Sequence, residues 1–135
     1  MAFLELNQIY KQFANAAAPA VDNFNLHVAK GEFVSFLGPS GCGKTTTLRM
    51  VAGFEMPTSG QIIMAGQEIT HQRPNQRSIG MVFQSYALFP NMNVADNIGF
   101  GLKVAGKTAN EIKQRVSEML SLIKLEQLSG RYPYQ

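Results

Sequence analysis

The sequence predicts an α/β fold, and three consecutive stretches carry this prediction. Residues 32–37 are an apolar run without alternating polar residues, which is typical of a parallel strand that is buried on both faces. Residues 38–46, GPSGCGKTT, follow directly as a glycine-rich loop. Residues 46–52 then have the pattern of a short helix that ends at Gly53. A strand, a glycine-rich loop and a helix in this order predict an α/β core.

The glycine-rich loop fits the phosphate-binding pattern G-x-x-x-x-G-K-[ST] at Gly38, Gly43, Lys44 and Thr45. Glycines allow successive backbone N–H groups to converge on an anion, and the N-terminus of the following helix adds a positive dipole of roughly half a charge. We expect Lys44 to reach the β- and γ-phosphates and the Thr45 hydroxyl to take one coordination position on Mg²⁺. The alternative is a glycine-rich turn with a solvated lysine.

The composition excludes several classes of protein. With 135 residues, the chain is one domain or part of one, and 45% hydrophobic with 16% charged residues is ordinary for a globular core. No apolar run approaches the roughly 20 residues that span a bilayer, and the N-terminus lacks the layout of a signal peptide, so we expect a cytosolic chain. The net charge of +3 comes from scattered basic residues, so no nucleic-acid partner is expected.

Cysteine and histidine offer little for chemistry. Cys42 is the single cysteine and lies inside the phosphate loop, where we expect it to contribute its backbone N–H rather than its thiol. His27 and His71 have no companion at metal-ligand spacing, and we expect an exposed strand histidine and a loop histidine.

The segments on either side of the loop predict further strands. Residues 3–13 and 21–28 alternate and are expected to pair as antiparallel strands joined by the loop 14–19. After a turn at 57–60, residues 61–65 with Gly66 read as a strand and a tight reversal. Residues 79–83 are again a short apolar strand, which ends at Gln84. Because ligands bind outside the carboxyl ends of such strands, Gln84 and the phosphate loop are expected to share one crevice.

From Asn93 the pattern becomes helical. Gly99 and Gly101 interrupt the first helix and weaken it by roughly 1 kcal/mol each relative to alanine. Thr108 and Glu111 form a capping box that opens a second helix, on which Glu111 can pair with Arg115. The second helix is expected to pack through one apolar stripe, which consists of Ile112, Val116, Met119, Leu120 and Ile123.

Two long blocks, GPSGCGKTTTLRMVAGFEMPTSGQI and IGMVFQSYALFPNMNVADNIGFGLK, give the chain a family resemblance. The chain resembles the nucleotide-binding subunit of ATP-binding-cassette transporters, and within these the subgroup that energises bacterial importers, over residues 4–135. The resemblance implies a P-loop NTPase (RecA-like) core with an N-terminal antiparallel β subdomain in residues 1–84. It also implies the first part of a helical subdomain in residues 85–135.

The resemblance also implies a site for ATP and Mg²⁺. Phe13, with Tyr10 as the second choice, matches the aromatic residue that stacks on adenine, and Gln84 matches the glutamine that contacts Mg²⁺ and the attacking water. Lys44 and Gln84 are thus the expected catalytic residues, and Thr45 and Gln84 the expected Mg²⁺ ligands. The residues expected to hold the phosphates are Gly38, Ser40, Gly41, Cys42, Gly43, Lys44, Thr45 and Thr46.

By the same resemblance, the expected partners are transmembrane permease subunits, a second copy of the ATPase subunit and, indirectly, a periplasmic solute-binding protein. The expected location is peripheral, on the cytoplasmic side of the bacterial inner membrane. The family's ATPase subunits do not touch the transported solute. Polyamines and ferric iron are favoured over sugars and sulfate on overall similarity only.

The sequence departs from the family pattern in its second half. Leu128, Ser129 and Gly130 are followed by Arg131, so they are not the LSGGQ motif, and the acidic strand end, glutamate general base and switch histidine have no match. We therefore expect the N-terminal part of a longer protein, with marginal stability on its own. A positioned general base contributes about 10²–10⁴ in rate, so this chain should bind MgATP and hydrolyse it poorly.

Three alternatives remain open from the sequence. The first is a soluble cassette protein that acts on ribosomes or DNA. The second is an unrelated P-loop kinase or GTPase, against which stand the absence of an N-K-x-D motif and the presence of VFQSYALFP. The third is a truncated product without function.

Overall fold

The computed structural model describes residues 2–135 and separates into two compact units, one that runs to Met81 and one that spans Val82–Gln135. Within residues 2–135, no helix combines the length and the apolar character that crossing a bilayer requires. Among residues 2–135, the first unit contains an antiparallel sheet, one α-helix and a short 3-10 turn, Pro74–Gln76, and the second contains two α-helices and a short 3-10 turn.

The sheet of the first unit has four strands, β1 (Leu4–Lys11), β2 (Val21–Val28), β3 (Ser59–Met64) and β4 (Gln67–Glu68). Their order is β2-β1-β3-β4, and each neighbouring pair is antiparallel. The predicted pairing of the two N-terminal strands is therefore confirmed, as is the tight reversal after β3. Ser59 and Gly60 belong to β3 rather than to the turn in which the sequence placed them.

The core of the first unit lies between this sheet and the helix. Leu6 and Ile9 of β1 are both buried, although strict alternation would place them on opposite faces. A register shift between them, at which Gln8 takes a positive φ of 51°, turns Ile9 back into the core. The buried cluster around these two residues consists of Leu6, Ile9, Val21, Met50, Ile62 and Ile69.

The helix of the first unit, α1 (Lys44–Ala52), starts within the phosphate motif at Lys44, two residues earlier than predicted, and ends at Gly53 as predicted. Its last turn is fixed by Arg77, which is 6% exposed. The guanidinium donates hydrogen bonds to the carbonyl oxygens of Met50 at 2.7 Å, Val51 at 2.8 Å and Thr70 at 3.0 Å. A fourth bond, to the carbonyl of Gln72, is 3.0 Å long. Burial lowers the pKa of Arg77 from its ordinary value.

The predicted strands at 32–37 and 79–83 are wrong: neither segment is a strand in the structure. A strand needs a neighbour to complete its backbone hydrogen bonds, and no strand of the described chain, residues 2–135, pairs with either segment. Several of their apolar side chains are exposed, since Phe33 is 92% exposed, Leu37 98% and Val82 92%. The apolar run by itself was therefore not sufficient to form a strand.

The second unit consists of α2 (Val94–Val104), α3 (Ala109–Leu122) and a short 3-10 turn, Glu126–Leu128. The predicted capping box of α3 is confirmed, because Thr108 accepts a hydrogen bond from the Glu111 N–H and the Glu111 carboxylate accepts one from the Thr108 N–H. Gly99 is buried where the two helices meet, and a Cβ at this position would lie 2.9 Å from Ile112 Cγ2. This glycine allows the close approach of α3.

The apolar stripe of α3 is confirmed in its middle and wrong at its end. Val116 and Leu120 are buried, whereas Ile123 is 54% exposed.

The predicted pair of Glu111 with Arg115 is also wrong. Glu111 pairs with Lys107 at 3.7 Å, because its carboxylate turns back towards the start of the helix to complete the cap. Arg115 pairs instead with Glu118 at 2.9 Å.

Candidate nucleotide-binding site

The glycine-rich loop leads into α1 through Gly43, the N-cap residue. Gly43 has a φ of 89°, in the left-handed region that favours glycine. A Cβ on Gly43 would also overlap the carbonyl oxygen of Ala20. Two independent reasons, conformation and close packing, therefore require glycine at this point of the motif.

Lys44 folds back across the loop. Its Nζ atom donates hydrogen bonds to the carbonyl oxygens of Gly38 at 2.6 Å and Pro39 at 2.7 Å, and it lies 3.4 Å from Cys42 Sγ. Both oxygen acceptors are neutral, so these contacts position the ammonium without cancelling its charge. The loop therefore holds a fixed positive charge at its start.

The N-terminus of α1 adds to this positive character. The first turn of α1 contains no acidic residue, whereas the first turn of α2 contains Asp96 and that of α3 contains Glu111. An acidic side chain in the first turn would offset the positive end of the helix dipole. The start of α1 thus keeps its dipole available for an external anion, next to the ammonium of Lys44.

The three threonines after Lys44 differ in what their hydroxyls can do. Thr47 is buried, and its Oγ1 donates a hydrogen bond to the Gly43 carbonyl at 2.9 Å, so it serves the helix itself. Thr45 is exposed and Thr46 is half-buried. A hydroxyl oxygen beside the phosphate loop is a donor atom that Mg²⁺ accepts, so Thr45 fits the metal role expected from the motif. Ser40, Gly41 and Cys42 are exposed along the loop.

The aromatic candidate Phe13 follows the end of β1 and is 40% exposed. The structure connects it to the phosphate loop through Ala20. The N–H of Ala20 donates to the Lys11 carbonyl at 2.8 Å, two residues before Phe13, and the Ala20 carbonyl packs against Gly43. Ala20 thus contacts both the strand end that carries Phe13 and the junction of the loop with α1.

The backbone around Phe13 is held by Gln12. Its Nε2 atom donates to the carbonyl of Ala16 at 2.6 Å and to that of Phe13 at 3.4 Å. Its backbone N–H bonds to Thr58 Oγ1 at 3.0 Å. Tyr10, the second aromatic candidate, lies within β1 and is half-buried, with its hydroxyl 3.3 Å from Gln12 Oε1. The greater exposure of Phe13 favours Phe13 over Tyr10 as a surface for a base.

A cavity of about 410 Å³ adjoins the loop. Cys42 and Lys44 line it together with side chains of β2 and of the extended segment before the loop; the full lining is Ala20, Val21, Asp22, Phe24, Ser35, Phe36, Leu37, Cys42, Lys44 and Thr47. The second unit has a larger cavity, of about 550 Å³, lined by parts of α2, α3 and the 3-10 turn. Only the first cavity includes residues of the phosphate motif.

Gln84 belongs to the second unit, and the structure places it within that unit only. It is exposed in a turn in which the N–H of Tyr86 donates to the carbonyl of Phe83 at 3.0 Å. It does not end a strand, contrary to the sequence-based expectation. The predicted crevice shared by Gln84 and the phosphate loop stays a prediction.

The two histidines lie where the sequence placed them, His27 exposed on β2 across from Glu5 and His71 exposed in a loop. Among residues 2–135, no group of three or more histidine, cysteine, aspartate or glutamate side chains is arranged to hold a metal ion. Two residues that fix the elements around the loop were not found from the sequence, Lys11 at the end of β1 and Arg77 beside the last turn of α1. Neither lies in a motif, and their partners are distant in sequence, so the sequence carried no signal for their contacts.

The fold and the loop together place the chain in the P-loop NTPase class of α/β proteins. The sequence profile of the family described as ABC transporter matches residues 21–135. The chain therefore belongs to the ABC transporter family, as the resemblance predicted.

Relatives within this family are similar over nearly all of the chain. The Fe(3+) ions import ATP-binding protein FbpC of Escherichia coli O157:H7 is 50% identical over 130 residues, which is 96% of this chain and 37% of that protein. The spermidine/putrescine import ATP-binding protein PotA of Nitrosomonas europaea is 51% identical over 135 residues, 100% of this chain and 37% of that protein. The chain thus spans little more than a third of the length of these relatives.

Solved structures agree with this assignment. A dimeric, post-hydrolysis structure of the ATP-binding cassette MJ0796 bound to ADP and Pi matches with a TM-score of 0.86 and 28% identity. The match covers 98% of this chain and 62% of that chain. Another dimeric structure of MJ0796, described as a bacterial ABC transporter cassette, matches with a TM-score of 0.87 and 27% identity.

Proposed function

We propose that this chain binds ATP with Mg²⁺ as part of the ATP-binding subunit of an importer. The observation that carries the proposal is the fixed ammonium of Lys44, held by the carbonyls of Gly38 and Pro39 beside a helix N-terminus without an acidic residue. A polyphosphate chain is the ligand that suits a point charge beside a helix N-terminus, where the first backbone N–H groups have no partner within the helix. Membership of the ABC transporter family supports the same ligand.

The roles of the residues follow from their positions. Lys44 would contact the β- and γ-phosphates, and the amides of the loop would donate to the remaining phosphate oxygens. The exposed hydroxyl of Thr45 would be a ligand of Mg²⁺, which when bound neutralises charge on the phosphate oxygens. Phe13 would stack on the base, and Gln84 would contact Mg²⁺ and the attacking water, as the family resemblance implies.

The proposed cellular role is the energising of solute import. The names of the relatives, which are import proteins for Fe(3+) ions and for spermidine or putrescine, support it. The partners would be transmembrane permease subunits and a second copy of the subunit, and the dimeric state of the similar solved structures supports the latter. The location would be the cytoplasmic side of the bacterial inner membrane, with a periplasmic solute-binding protein as an indirect partner.

We further propose that this chain alone binds MgATP but hydrolyses it slowly. The family motifs that supply a general base have no match in residues 1–135. The expected rate of phosphate release is therefore lower by about 10²–10⁴ than in an enzyme that has a positioned base. A release assay on the purified chain with saturating MgATP measures this rate directly, and turnover of a few per second or more would contradict the proposal.

A calorimetric titration of the purified chain with ATP and with AMP, each in the presence of Mg²⁺, tests the proposed ligand. AMP carries the same base with a single phosphate, so it should bind at least about a hundredfold more weakly if the loop holds the β- and γ-phosphates. Equal affinities would contradict the assignment of the loop.

A sedimentation experiment tests the proposed cellular role. The chain should sediment with membranes of the cells that produce it, and recovery with ribosomes instead would favour a soluble cassette protein.

A further inference from the structure

Lys11 lies against one face of the ring of the aromatic candidate Phe13. Its Nζ atom is positioned over the Phe13 ring, 4.9 Å from the ring centroid. This distance lies within the range, about 6 Å, at which an ammonium is attracted to the face of an aromatic ring. Since the ring is 40% exposed, it can offer surface to a ligand while it contacts the ammonium.

The ammonium of Lys11 is itself fixed. It donates a hydrogen bond to the Met56 carbonyl at 2.7 Å and lies 3.3 Å from Glu55 Oε2. The Lys11 side chain is 14% exposed, and Glu55 Oε2 is buried without a hydrogen bond from the described residues, so the nearby ammonium compensates its charge. A partly buried ammonium with two oxygen partners has little freedom to leave the ring.

These contacts join Phe13 to the helix of the phosphate loop. Glu55 follows the end of α1, and its N–H donates to the carbonyl of Arg49 in the last turn at 3.3 Å. The Lys11 side chain therefore connects the end of β1, two residues before Phe13, with the segment that follows α1. The other end of α1 carries Lys44. A ring anchored in this way keeps its place relative to the loop.

We propose that Lys11 is a positioning residue for the base of the bound nucleotide, acting through the ring of Phe13. This inference rests on the proposed binding of ATP. The ammonium restrains the ring before the ligand arrives, so less rotamer freedom is lost on binding. It also withdraws electron density from the ring, which makes the opposite face a better partner for an electron-rich purine.

The proposal predicts that Lys11 affects binding of the base and not binding of the phosphates, so the test compares a ligand with a base and one without. Affinities for MgATP and for Mg²⁺-tripolyphosphate, which has no base, are measured by calorimetry on the purified chain and on Lys11→Gln, Phe13→Ala and the double variant. Glutamine is a polar side chain of similar size that carries no charge. Lys30→Gln is the matched control, because Lys30 is an exposed lysine of the same unit that lies outside the loop and the Phe13 contacts.

Lys11→Gln is expected to weaken MgATP binding about three- to tenfold and to leave tripolyphosphate affinity within about twofold. Phe13→Ala should weaken MgATP binding about tenfold to a hundredfold, and the double variant should be no weaker than Phe13→Ala alone. Lys11→Arg, which keeps the cation, should restore MgATP affinity to within about twofold, whereas Lys30→Gln should change neither affinity.

Three results would overturn the proposal. The first is an equal loss of affinity for both ligands in Lys11→Gln, which would assign Lys11 to the fold alone. The second is additive losses in the double variant, which would show that Lys11 acts independently of the ring. The third is an unchanged MgATP affinity in Lys11→Gln. If the unsubstituted chain bound neither ligand, the proposed function itself would be wrong, whatever the variants did.

Discussion

Arg77 Nη1 donates a hydrogen bond to the carbonyl oxygen of Met50 at 2.7 Å, inside the buried last turn of α1. The same guanidinium bonds three further carbonyls, those of Val51, Thr70 and Gln72. The last carbonyls of a helix have no partner within the helix, and a planar guanidinium with several donors can satisfy them together. Arg77 thus secures the end of the helix that is opposite the phosphate loop.

Removal of this guanidinium should destabilise the first unit strongly. Arg77→Met removes four buried or part-buried hydrogen bonds, and the Met50 carbonyl keeps its bond from the Gly53 N–H at 3.2 Å, so we expect a loss of about 3 kcal/mol in the free energy of unfolding. Urea unfolding followed by circular dichroism measures the loss. The control is Arg73→Met, which removes an exposed arginine nearby and should cost less than about 0.5 kcal/mol. Equal effects of the two substitutions would contradict the role given to Arg77.

The two glycines of α2 should respond to alanine in opposite directions. Gly101→Ala meets no atom within 4 Å, so helix propensity alone should stabilise the chain by about 0.5–1 kcal/mol. Gly99→Ala brings a Cβ to 2.9 Å from Ile112 Cγ2 and 3.3 Å from Val116 Cγ2, so we expect a loss of about 1–3 kcal/mol. Thermal unfolding of both variants tests the pair. Stabilisation by Gly99→Ala would show that α3 does not approach α2 this closely.

Acidification should weaken the start of α3. Hydrogen bonds from the backbone N–H and the hydroxyl of Thr108, together with the charge of Lys107, lower the pKa of Glu111. The pKa of Glu111 is lower in the folded chain than in the unfolded chain, so the ionised carboxylate stabilises the fold. This stabilisation is fully present above the unfolded pKa and is lost as the pH falls through the folded pKa. Helical circular dichroism and the melting temperature, measured from neutral to acidic pH, should therefore decline.

Glu111→Gln is the variant that isolates this contribution, since glutamine retains a capping acceptor and does not titrate here. The decline of the melting temperature on acidification should be smaller in Glu111→Gln than in the unsubstituted chain. Glu118, whose pKa is also lowered, mainly by its hydrogen bond with Arg115, remains in both proteins and contributes equally. An identical pH dependence of the two proteins would show that the cap does not depend on the charge of Glu111.

Local patterns were sufficient to predict the elements whose partners are close in sequence. The capping box at Thr108 and Glu111 and the glycine that ends α1 depend on contacts within one turn, and the structure contains both. The hairpin between β1 and β2 also depends on a short loop and on alternation that the sequence displays. The glycines of the loop also act partly through their own backbone, since Gly41 and Gly43 take positive φ angles of 81° and 89°.

Elements that depend on distant partners could not be predicted in this way. The apolar run around Phe33 has the composition of a buried strand, but a strand forms only where another strand pairs with it. Arg77 and Lys11 act through backbone carbonyls and through a ring, and a sequence pattern does not record such contacts. Arg77 reaches Met50 across 27 positions of the chain, and Lys11 reaches Met56 across 45.

The dissociation constant of MgATP for the chain and for Lys44→Ala tests the central claim most directly. We expect Lys44→Ala to weaken binding by about a hundredfold or more, since it removes the fixed charge that would contact the β- and γ-phosphates. Lys107→Ala, which removes an exposed lysine in the other unit, should leave the constant unchanged, and near-ultraviolet circular dichroism of each protein reports on its fold. If folded Lys44→Ala bound MgATP as tightly as the unsubstituted chain, the phosphate loop would not be the nucleotide site.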